Sequence, residues 1–286
     1  METTSAQLLR RAHATSDVDE LIDIGCDLAD SGEADGAECC FRRASELGDA
    51  AGAFNLGNTL AGQRRFPEAV DAYEVALERG ETGAWLNLGL VLHELGDLAG
   101  EMRAYERAER AGDSGGALGL AFCLREQGER HAAMGAMERA AAAGNELAAA
   151  VLACWRWDES LDPSLEPALR AGAELYPSTR ADLGDLLVTT GRIEEGRLVL
   201  LRGMELGETD SMVPLGNLYA DVLGDAGAAE AAYRAGAELG DTHAHHNLAN
   251  LLQSHGDLAG AERHFRLAAE GGDTLAAAAL HDLLGN

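Results

Sequence analysis

Three histidines near the C-terminus form the densest group of side chains that could bind a metal. His243 and His246 are three residues apart, which places them on one face of a helix, and His245 lies between them. A zinc site needs at least one more ligand, and Asp210 occupies the position equivalent to His243 one repeat earlier. The alternative is a polar first turn that faces water. We assign no metal site and expect no cofactor.

Short catalytic motifs are missing from the sequence. All 22 basic residues are arginine, so a phosphate-binding loop with its lysine cannot form, and neither H-E-x-x-H nor G-x-S-x-G occurs. Acidic pairs such as Asp158–Glu159 and Glu194–Glu195 could act as general acid and base only across a cleft. Among 49 acidic residues such pairs arise by chance. We predict no catalytic residues and expect that the chain is not an enzyme.

The five cysteines are an odd number for a disulfide framework, and we expect them to be reduced thiols that pack as small apolar side chains. The first residues, METTSAQLLRRAHATS, contain no apolar secretory stretch. No run of 18 apolar residues predicts a membrane span. These features together predict a cytoplasmic location and no membrane partner.

Charge restricts the partners that the chain can bind. Its 49 acidic and 22 basic residues give a net charge of −27. Such a surface repels the phosphates of nucleic acids and anionic lipids. We therefore expect a protein or peptide partner with basic residues, bound less tightly at high salt.

A glycine followed by Asp, Glu or Asn recurs about every 32 residues, from Gly48 to Gly272. At one junction the pair Tyr176–Pro177 takes its place. The spacing predicts eight repeats, with residues 17–48, 49–80, 81–112, 113–144, 145–176, 177–207, 208–240 and 241–272.

Each repeat contains the pattern of two short helices. The acid after the glycine is suited to cap the first helix, and the glycine ends the second. In most repeats another glycine, such as Gly96 or Gly256, separates the two helices. Large apolar residues follow helical spacing, and small residues beside them allow close helix packing. Residues 5–14 and 273–284 read as single helices that cap the two ends.

The order of Leu–Gly, turn Gly, Tyr or Phe and Ala resembles the tetratricopeptide repeat, and the G-D-x-x-A ending resembles the related Sel1-like repeats. The resemblance covers residues 17–272. It implies an all-α, right-handed α-solenoid of eight helix-turn-helix repeats with terminal half-repeat capping helices. We expect a single domain over residues 1–286, with the N-terminal cap in 1–16 and the C-terminal cap in 273–286.

In this family the first helices of the repeats line a concave groove. The resemblance therefore implies that particular positions of each first helix face a partner. Those positions predict a partner-binding groove formed by Asn58, Leu86, Leu90, His93, Leu118, Phe122, Arg125, Cys154, Trp157, Asn217, His246 and Asn250.

The centre of this predicted groove is apolar and aromatic, and Phe122 and Trp157 are its strongest candidate anchors. The alternative is that these side chains pack between neighbouring helices. Repeat five, with Trp155, Trp157 and two prolines, is either degenerate or the element that sets specificity. The family's basic carboxylate clamp is not reproduced, because only Arg125 could contribute to it. Acids at the margin favour a ligand with basic residues beside an apolar stretch.

Three functions follow in order of preference. The first is a protein–protein interaction scaffold or adaptor that binds a peptide or helix in the groove. The second is a regulatory or assembly subunit that oligomerises through its outer face or its unusually apolar C-terminal helix. The third is an enzyme or metal-binding protein with a site in the groove.

Overall fold

The computed structural model describes residues 4–285, and these contain eighteen α-helices and no strand. The chain divides into two compact units between Asn145 and Glu146, which we describe separately. The first unit consists of α1 (Thr4–Ala14), α2 (Val18–Asp30), α3 (Ala34–Glu46), α4 (Ala50–Gly62), α5 (Phe66–Glu78), α6 (Ala84–Glu94), α7 (Leu98–Arg110), α8 (Ser114–Glu126) and α9 (Arg130–Ala142).

The second unit continues the same plan with two irregular segments. Its helices are α10 (Glu146–Ser160), α11 (Glu166–Gly172), α12 (Pro177–Thr189), α13 (Ile193–Glu205), α14 (Thr209–Asn217), α15 (Ala226–Glu238), α16 (Thr242–Ser254), α17 (Leu258–Glu270) and α18 (Thr274–Leu283). Within each unit every helix packs against the next one along the chain. The predicted eight helix pairs, flanked by the single helices α1 and α18, are confirmed.

Local sequence explains where the helices begin and end. The side chain of Asp49 accepts a hydrogen bond from the backbone N–H of Gly52, and Asp241 does the same for Ala244. Gly48 takes a φ of +98°, and the N–H of Asp49 turns back to the carbonyl of Ala44. Only glycine adopts this conformation without strain, so the glycine–acid pair both ends one helix and begins the next.

Large and small side chains alternate in the core of each unit. In the first unit Ile24, Leu60 and Tyr73 are almost fully buried. A Cβ at Gly57 would lie 2.5 Å from the ring of Tyr73, so the residue after the core leucine must be small. Burying each large side chain stabilises the stack by about 1.5–3 kcal/mol.

Repeat five departs from the plan, as its sequence predicted. Leu161, with a φ of +49°, takes the left-handed conformation that a glycine takes in most other repeats, one residue later than the usual turn position. Pro163 begins a short 3-10 turn, and the second helix of the pair, α11, has only seven residues. α10 packs against both α11 and α12.

Repeat seven contains an irregularity that its length signals. This repeat has one residue more than the usual 32, and residues Leu218–Leu223 form a π-helical segment directly after α14. Pro214 lies inside α14 and cannot donate a backbone hydrogen bond. A π-helical turn absorbs one inserted residue, so α15 still begins in register.

Candidate functional site

A hydrogen-bonded bridge links three helices in the first unit. The hydroxyl of Tyr73 on α5 donates to Asn58 Oδ1 on α4 at 2.8 Å, and Asn87 Nδ2 on α6 donates to the same oxygen at 2.7 Å. Asn58 Oδ1 thus joins its own helix both to the second helix of the pair and to the first helix of the next repeat.

The second unit repeats this bridge. Tyr233 donates to Asn217 Oδ1 at 2.7 Å, and Asn247 Nδ2 donates to it at 3.1 Å. Asn58 and Asn217, both predicted to contact a partner, therefore use their amide oxygens to hold the repeats together. The sequence shows that each of these tyrosines lies between two asparagines on successive first helices, but it does not show the hydrogen bonds between them.

The bridge is missing where repeat three meets repeat four. Leu90 takes the place of the central asparagine, and Gly119 takes the place of the second one. A Cβ at Gly119 would lie 2.8 Å from the ring of Tyr105, so the tyrosine packs directly on the glycine backbone. An open hollow of about 410 Å³ lies at this point.

Five residues predicted from the sequence line this hollow together: Leu86, Leu90, His93, Leu118 and Phe122. Leu90 is 54% exposed and Phe122 is 36% exposed, and both lie in the same hollow, where they form one exposed apolar patch. We call this site the repeat-three hollow, and its remaining lining residues are Glu101, Tyr105, Gly115, Gly119, Cys123 and Glu126. Arg125, predicted beside them, is exposed and lies outside the lining.

Glu101 and Cys123, two polar groups of the hollow, were missed by the sequence analysis. Glu101 on α7 is only 5% exposed, and its Oε1 lies 3.1 Å from His93 Nδ1. The thiol of Cys123 donates to the same oxygen at 3.1 Å. Groove positions were sought on first helices alone, whereas this carboxylate reaches the hollow from a second helix.

Cys123 and Tyr105, whose side chains lie near Glu101, stay protonated at neutral pH. Burial and the hydrogen bond to Glu101 raise the pKa of Cys123 to about 12. Burial and the negative charge of Glu101 also raise the pKa of Tyr105. A thiol of this kind is a poor nucleophile, so the hollow is suited to binding and not to covalent chemistry.

The expectation that Trp157 and Cys154 are exposed groove residues is wrong. Trp157 is 3% exposed and Cys154 is 4% exposed. α10 packs against α12, where the Cys154 thiol donates to Asp182 and the Trp157 indole N–H donates to Asp185, so these side chains of α10 are covered. Trp157 therefore cannot anchor a partner as an exposed aromatic residue.

His246 in the second unit contacts the residue that caps α18. His246 Nδ1 lies 2.8 Å from Asp273 Oδ2, and Asp273 caps α18 by accepting from the N–H groups of Leu275 and Ala276. These residues border a second hollow of about 740 Å³, which His243 and Asn217 also line. Asn250 is exposed and lies outside this lining.

Asp210, the proposed third metal ligand, accepts a hydrogen bond from Ser178 Oγ at 2.5 Å. Within residues 4–285 no three His, Cys, Asp or Glu side chains are grouped as metal ligands would be. In the same part of the chain, none of the helices combines the length and apolar character needed to cross a membrane.

Comparison with known proteins agrees with the repeat pattern. Models of the tetratricopeptide repeat match residues 22–84, 54–116 and 243–271. No curated protein sequence matches the chain significantly.

Solved structures with the same fold are distant in sequence. The chain is 22% identical to c5321, a protective antigen of uropathogenic Escherichia coli with an SLR fold, with a TM-score of 0.70 over 99% of this chain and 67% of that one. A Sel1 repeat protein from Oxalobacter formigenes is 20% identical, with a TM-score of 0.58 over 75% of this chain and 99% of that one. The APC/C hetero-tetramer Cut9–Hcn1 is 14% identical, with a TM-score of 0.63 over 96% of this chain and 58% of that one.

Proposed function

We propose that this chain, whose repeats match tetratricopeptide models and whose fold is that of Sel1-like repeat structures, is a non-catalytic scaffold that binds a partner protein. The repeat-three hollow receives an apolar segment of the partner, either an extended peptide or one face of a helix. Exposure of Leu90 and Phe122 around a concave site carries this proposal.

Charge indicates the kind of segment that fits. The walls are leucine and phenylalanine, whereas Glu101 lies at the floor and the exposed Glu126 lies at the rim. A net charge of −27 attracts a basic partner from a distance. The proposed ligand therefore has one or more apolar side chains with Arg or Lys beside them, and its affinity falls as salt rises.

Selection from a random 16-residue peptide library displayed on phage tests this function. We expect enrichment of peptides that combine apolar and basic residues, and at least a tenfold loss of their affinity in Leu90→Glu, because the new carboxylate lies in the apolar wall. Fluorescence anisotropy with the selected peptides measures the loss.

Leu258→Glu is the matched control, since Leu258 is also 54% exposed but lies on α17 in the second unit. It should leave peptide affinity unchanged. Failure to enrich any peptide, or equal binding by the Leu90→Glu variant, would contradict the proposed site.

The second candidate function is self-assembly through the C-terminal helix. One face of α18 packs on the second unit through Ala276, Leu280 and Leu283, whereas Leu275 is 71% exposed. Light scattering should then give a mass above 30.0 kDa that returns to the monomer value in Leu275→Glu. A wild-type monomer at every accessible concentration would exclude this candidate.

A further inference from the structure

One position of the repeat carries a glutamate in repeat three and a buried alanine in five other repeats. The position is the fourth residue of the second helix, and those alanines are at most 1% exposed: Ala37, Ala69, Ala133, Ala229 and Ala261. In repeat three the same position is Glu101. The chain has thus placed a carboxylate where its own pattern has a methyl group in the core.

A buried carboxylate normally has a cationic partner, because taking its charge out of water costs several kcal/mol. Glu38, the other buried glutamate of the first unit, has two: Arg42 at 2.5 Å and Arg65 at 2.7 Å. Glu101 contacts a neutral thiol and the imidazole of His93, whose side chain is 57% exposed. An exposed imidazole is a weak counter-ion compared with two arginines.

The free face of this carboxylate lies toward the repeat-three hollow. Among the described residues, both hydrogen bonds to the Glu101 side chain are made to Oε1, so Oε2 can accept from a ligand. The walls above it are the apolar side chains of Leu86, Leu90 and Leu118. Such a site matches a side chain with an aliphatic stem and a cationic end.

Resting on the proposed function, we infer that the repeat-three hollow is a pocket for one arginine side chain of the bound peptide. The guanidinium donates to Glu101 at the floor, and the methylene stem packs against the leucines and Phe122. Lysine fits the same pocket less well, because an ammonium is more strongly hydrated than a guanidinium and costs more to take out of water.

Three residues form the pocket at this one point. Leu90 and Gly119 occupy the positions that hold the bridging asparagines at two other repeat junctions and leave space here, and Glu101 supplies the charge. Leu90 and Gly119 without Glu101 would leave an unfilled gap. Glu101 without that gap would be a buried charge that no ligand could reach. Together they form a pocket that has both room and a counter-charge.

The test uses peptides from the library selection, with each Arg replaced in turn by citrulline, which has nearly the same shape and no charge. In the wild-type protein we expect one such replacement to weaken binding about tenfold or more. In Glu101→Gln that arginine and its citrulline replacement should bind equally.

Glu106→Gln removes one charge from the exposed surface of the same helix and should keep the arginine preference. Glu101→Ala restores the residue of the other repeats, and circular dichroism confirms that both Glu101 variants are folded. An arginine preference that persists in both folded variants would overturn the inference. Peptides that lack Arg and Lys but still lose affinity in Leu90→Glu would also overturn it, while leaving the proposed function intact.

Discussion

Arg180→Ala should lower the free energy of unfolding of the second unit by about 3–5 kcal/mol. The Arg180 side chain on α12 is 4% exposed, and it pairs with Glu208, whose side chain is 14% exposed. Removing the guanidinium leaves the Glu208 carboxylate buried without a cation. Oε2 of this carboxylate already has no hydrogen-bond partner among the described residues, which adds to the cost of losing the arginine.

Trp155 and Trp157 are both buried in the second unit, so their fluorescence during urea titration reports its unfolding. A Trp85→Phe background removes the signal from the first unit. Glu174→Ala is the control, since Glu174 also bonds Arg180 but is 83% exposed, and it should cost well under 1 kcal/mol. The double variant Arg180→Met/Glu208→Leu should recover most of the loss, and equal damage by the single and double variants would contradict this account.

Asp182→Asn should stabilise the second unit at pH 7.5 by about 1–2 kcal/mol and have almost no effect near pH 4. Burial, with the charges of Asp158, Asp185 and Asp210 nearby, raises the pKa of Asp182 from its usual 3.8 to about 6. Solvent screens the Asp182 carboxylate because its side chain is only partly buried, so the expected stabilisation is smaller than the change in its pKa alone would give.

The direction follows from proton linkage. A carboxyl group whose pKa is higher in the folded state contributes stability below its unfolded pKa, and this contribution is lost as pH rises through the folded value. Wild-type stability from Asp182 therefore declines between about pH 4 and pH 6, whereas asparagine does not titrate. Urea titrations of both proteins across this range measure the difference, and a difference that stays constant with pH would contradict the prediction.

Features that depend on short stretches of sequence could be predicted. The glycine–acid pairs and the mid-repeat glycines determine local backbone geometry, so the helix pairs and their caps followed from spacing alone. Five residues of the repeat-three hollow were also among the predicted groove residues, because the positions implied by the family resemblance lie together on regular helices such as α6 and α8.

Features that depend on packing between elements could not be predicted from the sequence. The burial of Trp157 follows from its contact with α12, where its indole N–H donates to Asp185, and the sequence pattern does not show that contact. Glu101 was missed because its importance appears only when one position is compared across all repeats. Periodicity gives the direction of a side chain, but not whether a neighbouring helix covers it.

The asparagine bridge has a consequence for how such proteins acquire new ligands. The Tyr–Asn–Asn contact occurs at one repeat junction in each unit, whereas the equivalent positions beside Tyr105 are Leu90 and Gly119. Each repeat contacts mainly its neighbours, so a substitution in one of them stays local in its effect. Duplication supplies copies of the same helix pair. A few substitutions at fixed positions can then convert a junction that only holds helices together into a binding site. Recognition and folding can then evolve independently within one chain.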